Sequence, residues 1–322
     1  SVQRKRYTAG FVSVIIRKVA ASRAVNRGEC FDLERKKWKG NLLLLLTALI
    51  WGAAFVAQSA GVEQNGPFTF NGIRLLLGGI VLIPCIVLFD KMRHVRLGWR
   101  NAGKDLWLGG TLCGLALFAG STLQQFGLQY TTAGKAGFIT ALYVIFVPLC
   151  RLFVGKRPGK LLWGSVVLAA IGMYLLCMDG SFSLSKGDVL VLLGAFGFTA
   201  HILIIDHFSQ KVDGVRMSCL QFLVAGTLSV VCMFLFETPS VPAILSAGVP
   251  ILYAGILSCG VAYTLQVLAQ KDTDPTVASL IMCLESVFAV LFGWLLLGEA
   301  LSAKEMLGCL MMFVAIVMAQ FA

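Results

Sequence analysis

The sequence predicts an all-α polytopic membrane protein with ten transmembrane helices, arranged as two inverted five-helix repeats. Composition is the first observation, since 58% of the residues are hydrophobic and 13% are charged, and the mean hydropathy is +0.84. These values exclude an ordinary soluble domain and a disordered chain. The second observation is a series of apolar segments of membrane-spanning length, and the third is a set of motifs that recur in order in the two halves.

Ten apolar segments follow one another with short connections between them. A helix needs about 20 predominantly apolar residues to cross a hydrocarbon core ~30 Å thick. The segments lie at about 41–60, 69–89, 105–127, 132–154, 161–178, 188–208, 217–236, 249–270, 275–298 and 303–321. The short connections leave little room for a soluble catalytic or output domain, so we predict that the protein is not an enzyme.

Internal repetition supports the division into halves. The motif Trp38-Lys39-Gly40-Asn41 opens the first segment, and Ser185-Lys186-Gly187-Asp188 opens the sixth. Thr122-Leu123-Gln124 in the third segment recurs as Thr264-Leu265-Gln266 in the eighth. A unit of five spans is odd, so the second copy starts on the opposite membrane face and the repeats are inverted, which is an architecture of transporters. The predicted repeats are 41–178 and 188–322.

The basic charge is concentrated in an N-terminal tail, residues 1–40. The chain has a formal net charge of +11, and the residues before Asn41 hold eleven Lys and Arg against three acids. We therefore predict no nucleic-acid partner. We assign the tail no function, since an Arg-rich leader can be an organelle transit peptide or an interfacial helix, and the alternative, which we favour, is an over-extended start or a dispensable tail. Most remaining loop cations fall on the same side as the tail, which predicts both termini in the cytoplasm and a multi-pass location in the cell (inner or plasma) membrane.

Glu285 lies in the middle of the ninth segment. The run 275–298 is roughly 36 Å long as a helix, which places Glu285 near the bilayer midplane. A charged side chain there costs about 2.5 to 3.5 kcal/mol on insertion scales and faces a bundle interior or a watery cavity. We favour a proton or substrate site. The structural alternative is a protonated acid that is hydrogen-bonded between helices.

Arg74 is the only Lys or Arg of the sequence that lies well inside a predicted span. That span is the second. A guanidinium keeps its proton, so the charge is permanent. One interpretation is a carboxylate-binding or gating residue, and the other is a side chain that snorkels toward the nearby surface. The sequence leaves both open, and it does not decide whether Arg74 pairs with Glu285.

Polar and aromatic residues in other spans are further candidates. Gln124 and Gln266 occupy equivalent positions of the two repeats and can either line a polar cavity or join helices, at about 0.6 kcal/mol each. Trp51, Tyr143 and Tyr263 can form an aromatic cage around a substrate cation or ring, or can pack and anchor helices.

A metal site is not predicted. His201, Asp206 and His207 lie together in the sixth segment, but spacings of five and six residues do not bring the two imidazoles onto one helix face. His201 keeps a minor interpretation as a proton sensor. No cofactor is predicted.

Four short motifs resemble the EamA family of the drug/metabolite transporter superfamily over residues 38–322. They are Ile50-Trp51-Gly52, Asn71-Gly72-Ile73-Arg74 after Pro67, Leu284-Glu285-Ser286-Val287, and Gly298-Glu299-Ala300-Leu301. The resemblance implies ten helices around a central cavity and secondary export of amino acids, metabolites or toxic small compounds. The chain departs from the usual family pattern at Gly155-Lys156-Arg157, where most members have Gly-Glu.

The predicted function is secondary active export of small metabolites, such as amino acids or toxic amphipathic compounds, by alternating access around a central cavity. The expected partners are a small-molecule substrate, the lipid bilayer and protons as coupling ion, and the choice between monomer and homodimer stays open. One alternative is a nucleotide-sugar or lipid-linked sugar transporter, which would need a more basic cavity than Arg74 supplies. The other is a membrane sensor or an intramembrane enzyme, for which no output domain or paired catalytic groups are found in the sequence.

Overall fold

The structure of the protein is a computed structural model. It describes residues 35–54, 57–58, 61, 65–92, 103–131, 133–177, 185–297 and 302–321. The tail at 1–34 lies outside these residues. Within them every regular element is a helix, which confirms an all-α polytopic membrane protein.

The helices follow the predicted apolar segments and mostly extend beyond them by a few residues. The first part of the chain forms α1 (35–54), α2 (Pro67–Met92), α3 (Gly103–Leu128), α4 (Ala133–Ala141), α5 (Tyr143–Phe153) and α6 (Lys160–Cys177). The second part begins with α7 (Lys186–Phe208), α8 (Gly214–Phe236), α9 (Val241–Ser246) and α10 (Gly248–Leu252). It continues through a π-helix, π1 (Tyr253–Tyr263), into α11 (Thr264–Gln270), α12 (Pro275–Met282), α13 (Glu285–Leu297) and α14 (Ala303–Ala319).

Seven helical segments of the described chain are long and apolar enough to cross a membrane. They are Pro67–Met92, Gly103–Leu128, Ala136–Phe153, Lys186–Phe208, Gly214–Phe236, Gly248–Gln270 and Pro275–Phe292. The stretch Lys160–Leu176 is apolar but shorter. The count of ten transmembrane helices therefore stays a prediction.

Close helix packing depends on glycine at several contacts. The pairs in closest contact are α3 with α7, α2 with α8, and α6 with α14. A methyl group at Gly172 of α6 would lie 2.8 Å from the carbonyl oxygen of Gly308 in α14, and one at Gly127 of α3 would lie 2.9 Å from that of Gly187 in α7. Small residues let backbones approach closely, and this favours helix association in lipid.

Three predicted continuous spans are interrupted. The fourth is broken at Leu142 between α4 and α5, and the ninth at Cys283 and Leu284 between α12 and α13. The eighth contains the eleven-residue π1. At both breaks the backbone switches to tighter bonds, with Ile145 N donating to Leu142 O (2.9 Å) and Leu284 N to Ile281 O (3.1 Å). These sites mark the level at which the polar residues of the interior gather.

Charged contacts hold the helices together at both ends of the bundle. At the end where α2 begins and α8 ends, the Glu237 carboxylate accepts hydrogen bonds from the backbone N–H groups of Phe68 (2.9 Å) and Thr69 (2.8 Å). At the other end, which we name the basic end, Arg151 at the end of α5 pairs with Asp274 before α12 at 2.6 Å. Both contacts join the N-terminal part of the chain to the C-terminal part.

Candidate functional site

A polar cavity lies at the centre of the bundle, at the level of the helix interruptions. The volume in which the centre of a water molecule fits is about 40 Å³. By that measure the cavity has room for roughly three waters. Its lining comprises Trp51, Gln58, Arg74, Gln124, Thr140, Tyr143, Phe198, His201, Ile202, Ser258, Tyr263, Gln266, Met282 and Glu285. All seven residues predicted from the sequence line this one cavity.

Glu285 and Tyr143 meet across the cavity from the two halves of the chain. The phenol of Tyr143 donates a hydrogen bond to Glu285 Oε1 at 3.2 Å. Tyr143 is the first residue of α5, and Glu285 is the first residue of α13. Both side chains are buried, with Glu285 only 4% exposed. Ser286 N donates to Cys283 O (3.2 Å) and Phe288 N to Leu284 O (2.9 Å), so these backbone N–H groups are already bonded, and the donor to the Glu285 carboxylate is the Tyr143 phenol.

Arg74 is buried among neutral partners. Its side chain is 3% exposed, and its Nε donates to Asn71 Oδ1 (2.9 Å) while Nη1 donates to Gln58 Oε1 (2.9 Å). Gln58 Oε1 accepts a second bond from Gln125 Nε2 at 2.6 Å. Arg74 forms no ion pair with any described carboxylate, Glu285 included. The cavity therefore holds a cation and an acid that do not neutralise each other directly.

The two predicted amides have different surroundings. Gln124 Nε2 donates to Thr140 Oγ1 at 2.9 Å. Gln266 Nε2 donates to Gln270 Oε1 at 3.0 Å, whereas Gln266 Oε1 is buried and has no hydrogen-bond partner among the described residues. A buried acceptor of this kind is costly unless something binds to it. The wall at Gln266 can thus accept a hydrogen bond from a molecule in the cavity.

Two of the three predicted aromatic residues form one wall. The rings of Trp51 and Tyr263 contact each other with centroids 4.6 Å apart and an interplanar angle of 60°. The third, Tyr143, is directed to Glu285 instead. His201 contacts Tyr263 edge-on at 5.7 Å, and its Nε2 lies 2.8 Å from Gln221 Oε1. The polar contact between His201 of α7 and Gln221 of α8 therefore holds the imidazole against the aromatic wall.

The sequence analysis missed three polar lining residues, namely Gln58, Thr140 and Ser258. Gln58 follows Trp51 by seven residues, which is two helical turns, so this spacing could have placed both on one face. Thr140 and Ser258 carry no such signal, because isolated hydroxyl residues are common in membrane helices. Among the described residues, no group of three or more His, Cys, Asp or Glu is arranged to hold a metal ion.

These features define a class of protein: a helical bundle that spans the membrane repeatedly and encloses a small polar cavity between its two halves. The chain belongs to the EamA-like transporter family, whose model matches it twice, at residues 38–178 and 185–321. It is a multi-pass membrane protein of a transporter family.

Similar proteins span nearly the same length. A protein of Archaeoglobus fulgidus named as an uncharacterized transporter is 31% identical, over 88% of this chain and 86% of its own. YoaV of Bacillus subtilis, also named as an uncharacterized transporter, is 25% identical over 86% of this chain and 95% of its own. YedA of Escherichia coli K12, named as an uncharacterized inner membrane transporter, is 26% identical over 84% and 87%.

A solved structure has the same fold. Its TM-score is 0.72 at 19% identity, and the alignment covers 88% of this chain and 96% of the other. At this identity the similarity supports the fold alone.

Proposed function

We propose that the protein is a secondary active exporter of small zwitterionic metabolites, with amino acids as the substrate class. The observation that carries this proposal is the pair of buried charges in one cavity, Arg74 and Glu285, which do not pair with each other. A zwitterion presents a carboxylate that a guanidinium binds strongly. Its ammonium group complements a carboxylate such as that of Glu285. One amino acid therefore satisfies both charges.

The remaining lining suits the rest of such a substrate. Gln266 Oε1 offers an acceptor for a further N–H group, and the contacting rings of Trp51 and Tyr263 offer an apolar surface. Aromatic faces also attract cations, so toxic amphipathic amines are the second substrate group to test. A nucleotide-sugar has less support, because Arg74 is the one Lys or Arg among the lining residues of the described cavity.

Alternating access is the proposed mechanism. The small volume of the cavity supports a closed conformation, because a metabolite needs more room than about 40 Å³ of space for water centres. The breaks between α4 and α5 and between α12 and α13 supply positions at which each span can bend. Opening of the cavity toward one membrane face would break the side-chain contacts at that end of the bundle, which are those of Glu237 at one end and the Arg151–Asp274 pair at the other.

Glu285 is the proposed coupling group. A proton and a substrate ammonium can each compensate its buried charge, so the two compete for one carboxylate. If each occupant favours a different conformation, then a proton entering from one side drives a substrate molecule out on the other. The protein then needs no ATP, and its role is transport rather than catalysis.

The experiment is uptake into proteoliposomes across a panel of labelled amino acids and amines, with and without an imposed pH gradient. The test variant is Glu285→Gln, and the control is Glu305→Gln, an acid at the exposed start of α14. We expect gradient-driven transport of one substrate class by the wild type and the control, and a loss of at least tenfold in Glu285→Gln. Gradient-driven transport by Glu285→Gln at the wild-type rate would refute the coupling role.

A further inference from the structure

A second cavity opens at the basic end of the bundle, separate from the central one. The volume in which the centre of a water molecule fits is about 340 Å³ there, far more than in the central cavity. It lies between the start of α1, the connection from α5 to α6, the turn before α12 and the end of α14. The proposed substrate site does not include this space.

Cations outnumber carboxylates in its walls. The cations are Lys37, Arg151, Lys156 and Arg157, and the carboxylates are Asp272 and Asp274. Asp274 is already engaged, because both of its oxygens accept from Arg151 Nη1 at 2.6 Å. Asp206 of α7 is close enough to Arg151 and Lys156 to interact with them, but it does not line the cavity.

Three of the cations, Lys37, Lys156 and Arg157, form no ion pair with a described residue. All three are exposed, and they come from two different elements, α1 and the α5–α6 connection. The wall thus presents more cationic donors to one volume than its two acids, Asp272 and Asp274, can match. An anion with several acceptor oxygens complements this arrangement.

The start of α6 adds backbone donors to the same wall. Gly159, which precedes the helix, lines the cavity, and no atom lies within 4 Å of where its Cβ would be. The first turn of α6 contains no acidic residue. The N–H groups and the dipole at a helix start favour an anion, and here they act together with the three cations.

The level of the cavity relative to the membrane narrows the ligand class. Trp38 is 76% exposed beside Lys37, and Phe153 is 91% exposed three residues before Lys156. An exposed Trp at a helix end is typical of the headgroup level of a bilayer, and the exposed Phe153 adds an apolar surface at the same end. Basic pockets between membrane helices at this level bind anionic lipid headgroups.

We propose that this cavity is a binding site for a phosphate group, held by Lys37, Lys156 and Arg157 at the start of α6. The phosphate belongs either to the headgroup of an anionic phospholipid or to free phosphate. A bound group would bridge α1 and the α5–α6 connection at the end where Arg151 and Asp274 join α5 to α12.

The experiment is native mass spectrometry of the full chain in neutral detergent. Phosphatidylglycerol is titrated against phosphatidylcholine of the same acyl chains, and inorganic phosphate is added as a competitor. The test variant is Lys37→Gln/Lys156→Gln/Arg157→Gln. We expect wild type to prefer phosphatidylglycerol, and the test variant to lose affinity for it by roughly fivefold for each charge removed.

The matched control removes the same number of exposed charges outside the cavity. It is Lys36→Gln/Lys91→Gln/Lys104→Gln, and we expect it to keep the wild-type affinity within about twofold. Displacement of the lipid by inorganic phosphate would support free phosphate as a ligand, and retention of the lipid would support the headgroup. The site would be overturned if wild type bound both lipids equally and bound no inorganic phosphate. It would also be overturned if the test and control variants lost equal affinity for phosphatidylglycerol.

Discussion

Arg74 carries a permanent charge in a place where charge is expensive. Two interpretations were open from the sequence, binding in a cavity or snorkelling to the surface. In the structure the side chain is buried, contacts the amide oxygens of Asn71 and Gln58, and lines the central cavity. These neutral oxygens bind a guanidinium more weakly than a carboxylate does, because hydrogen bonds between two ionised groups are stronger. A substrate carboxylate would supply the missing negative charge.

Substitution of Arg74 tests this role. We expect Arg74→Gln to raise the apparent KM for an amino acid by about 10- to 100-fold, since a charged hydrogen bond contributes about 1.5–3 kcal/mol. The affinity for the corresponding amine, which lacks the carboxylate, should change by less than threefold. Both are measured as concentration-dependent uptake, with Lys104→Gln as the control for loss of a surface cation.

An equal loss for the amino acid and the amine would contradict this prediction. It would assign Arg74 to the stability of the cavity wall instead.

Two side-chain contacts join the fourth span to the ninth, and both of these spans are interrupted. The Tyr143–Glu285 hydrogen bond links α5 to α13 at the cavity, and the Arg151–Asp274 pair links α5 to the start of α12 at the basic end. The paired side chains at the basic end are partly exposed, 14% for Arg151 and 40% for Asp274. Solvent weakens such ion pairs, so this contact can hold α5 against the start of α12 and still break at a small cost in free energy. Movement of α5 against α12 would then connect the cavity to that end.

Removal of the pair should loosen the break in the ninth span. We expect Arg151→Gln to speed amide hydrogen exchange at Cys283–Ser286 about two- to fivefold, because a partly exposed pair contributes up to about 1 kcal/mol. The measurement is hydrogen exchange with mass spectrometry in detergent. Arg157→Gln removes a neighbouring cation that has no ion pair with a described residue, and it should leave the exchange unchanged. The same acceleration in both variants would remove the proposed closing role of the pair.

The molecule as a whole supports an inverted repeat, which we infer from three features. The family model matches the chain twice. The breaks in the fourth and ninth spans fall at equivalent positions. Equivalent helices also contact each other, α2 with α8 and α6 with α14, as expected for pairs next to a two-fold axis. Five spans per repeat would then place the start of α1 and the end of α14 on the same side of the membrane, at the basic end.

Topology is tested by labelling single introduced cysteines with a membrane-impermeant maleimide. Lys271→Cys lies at the basic end and Ser240→Cys at the opposite end, and both positions are exposed. We expect Ser240→Cys to be labelled in intact cells and Lys271→Cys only after the membrane is opened. The unsubstituted protein controls for its native cysteines. The reverse pattern would place the termini outside the cytoplasm.

The sequence by itself determined the membrane class and the approximate position of most helices. It could do so because a backbone in lipid must satisfy its own hydrogen bonds, so a long apolar run has few structures available besides a helix. It also identified the polar residues of the interior, since a charge or amide in such a run is costly and needs a polar neighbour. Glu285, Arg74, Gln124 and Gln266 stood out for that reason.

Only the tertiary structure decided which of these residues meet and how. The breaks at Leu142 and at Cys283–Leu284 carry no signal, because these residues are as apolar as their neighbours and the hydropathy of the span is unchanged. The bond from Tyr143 to Glu285 joins residues 142 positions apart, and the separation of Arg74 from Glu285 depends on how five or more helices pack. Contacts of that kind follow from the shapes of the packed surfaces, which the periodicity of a single helix does not contain.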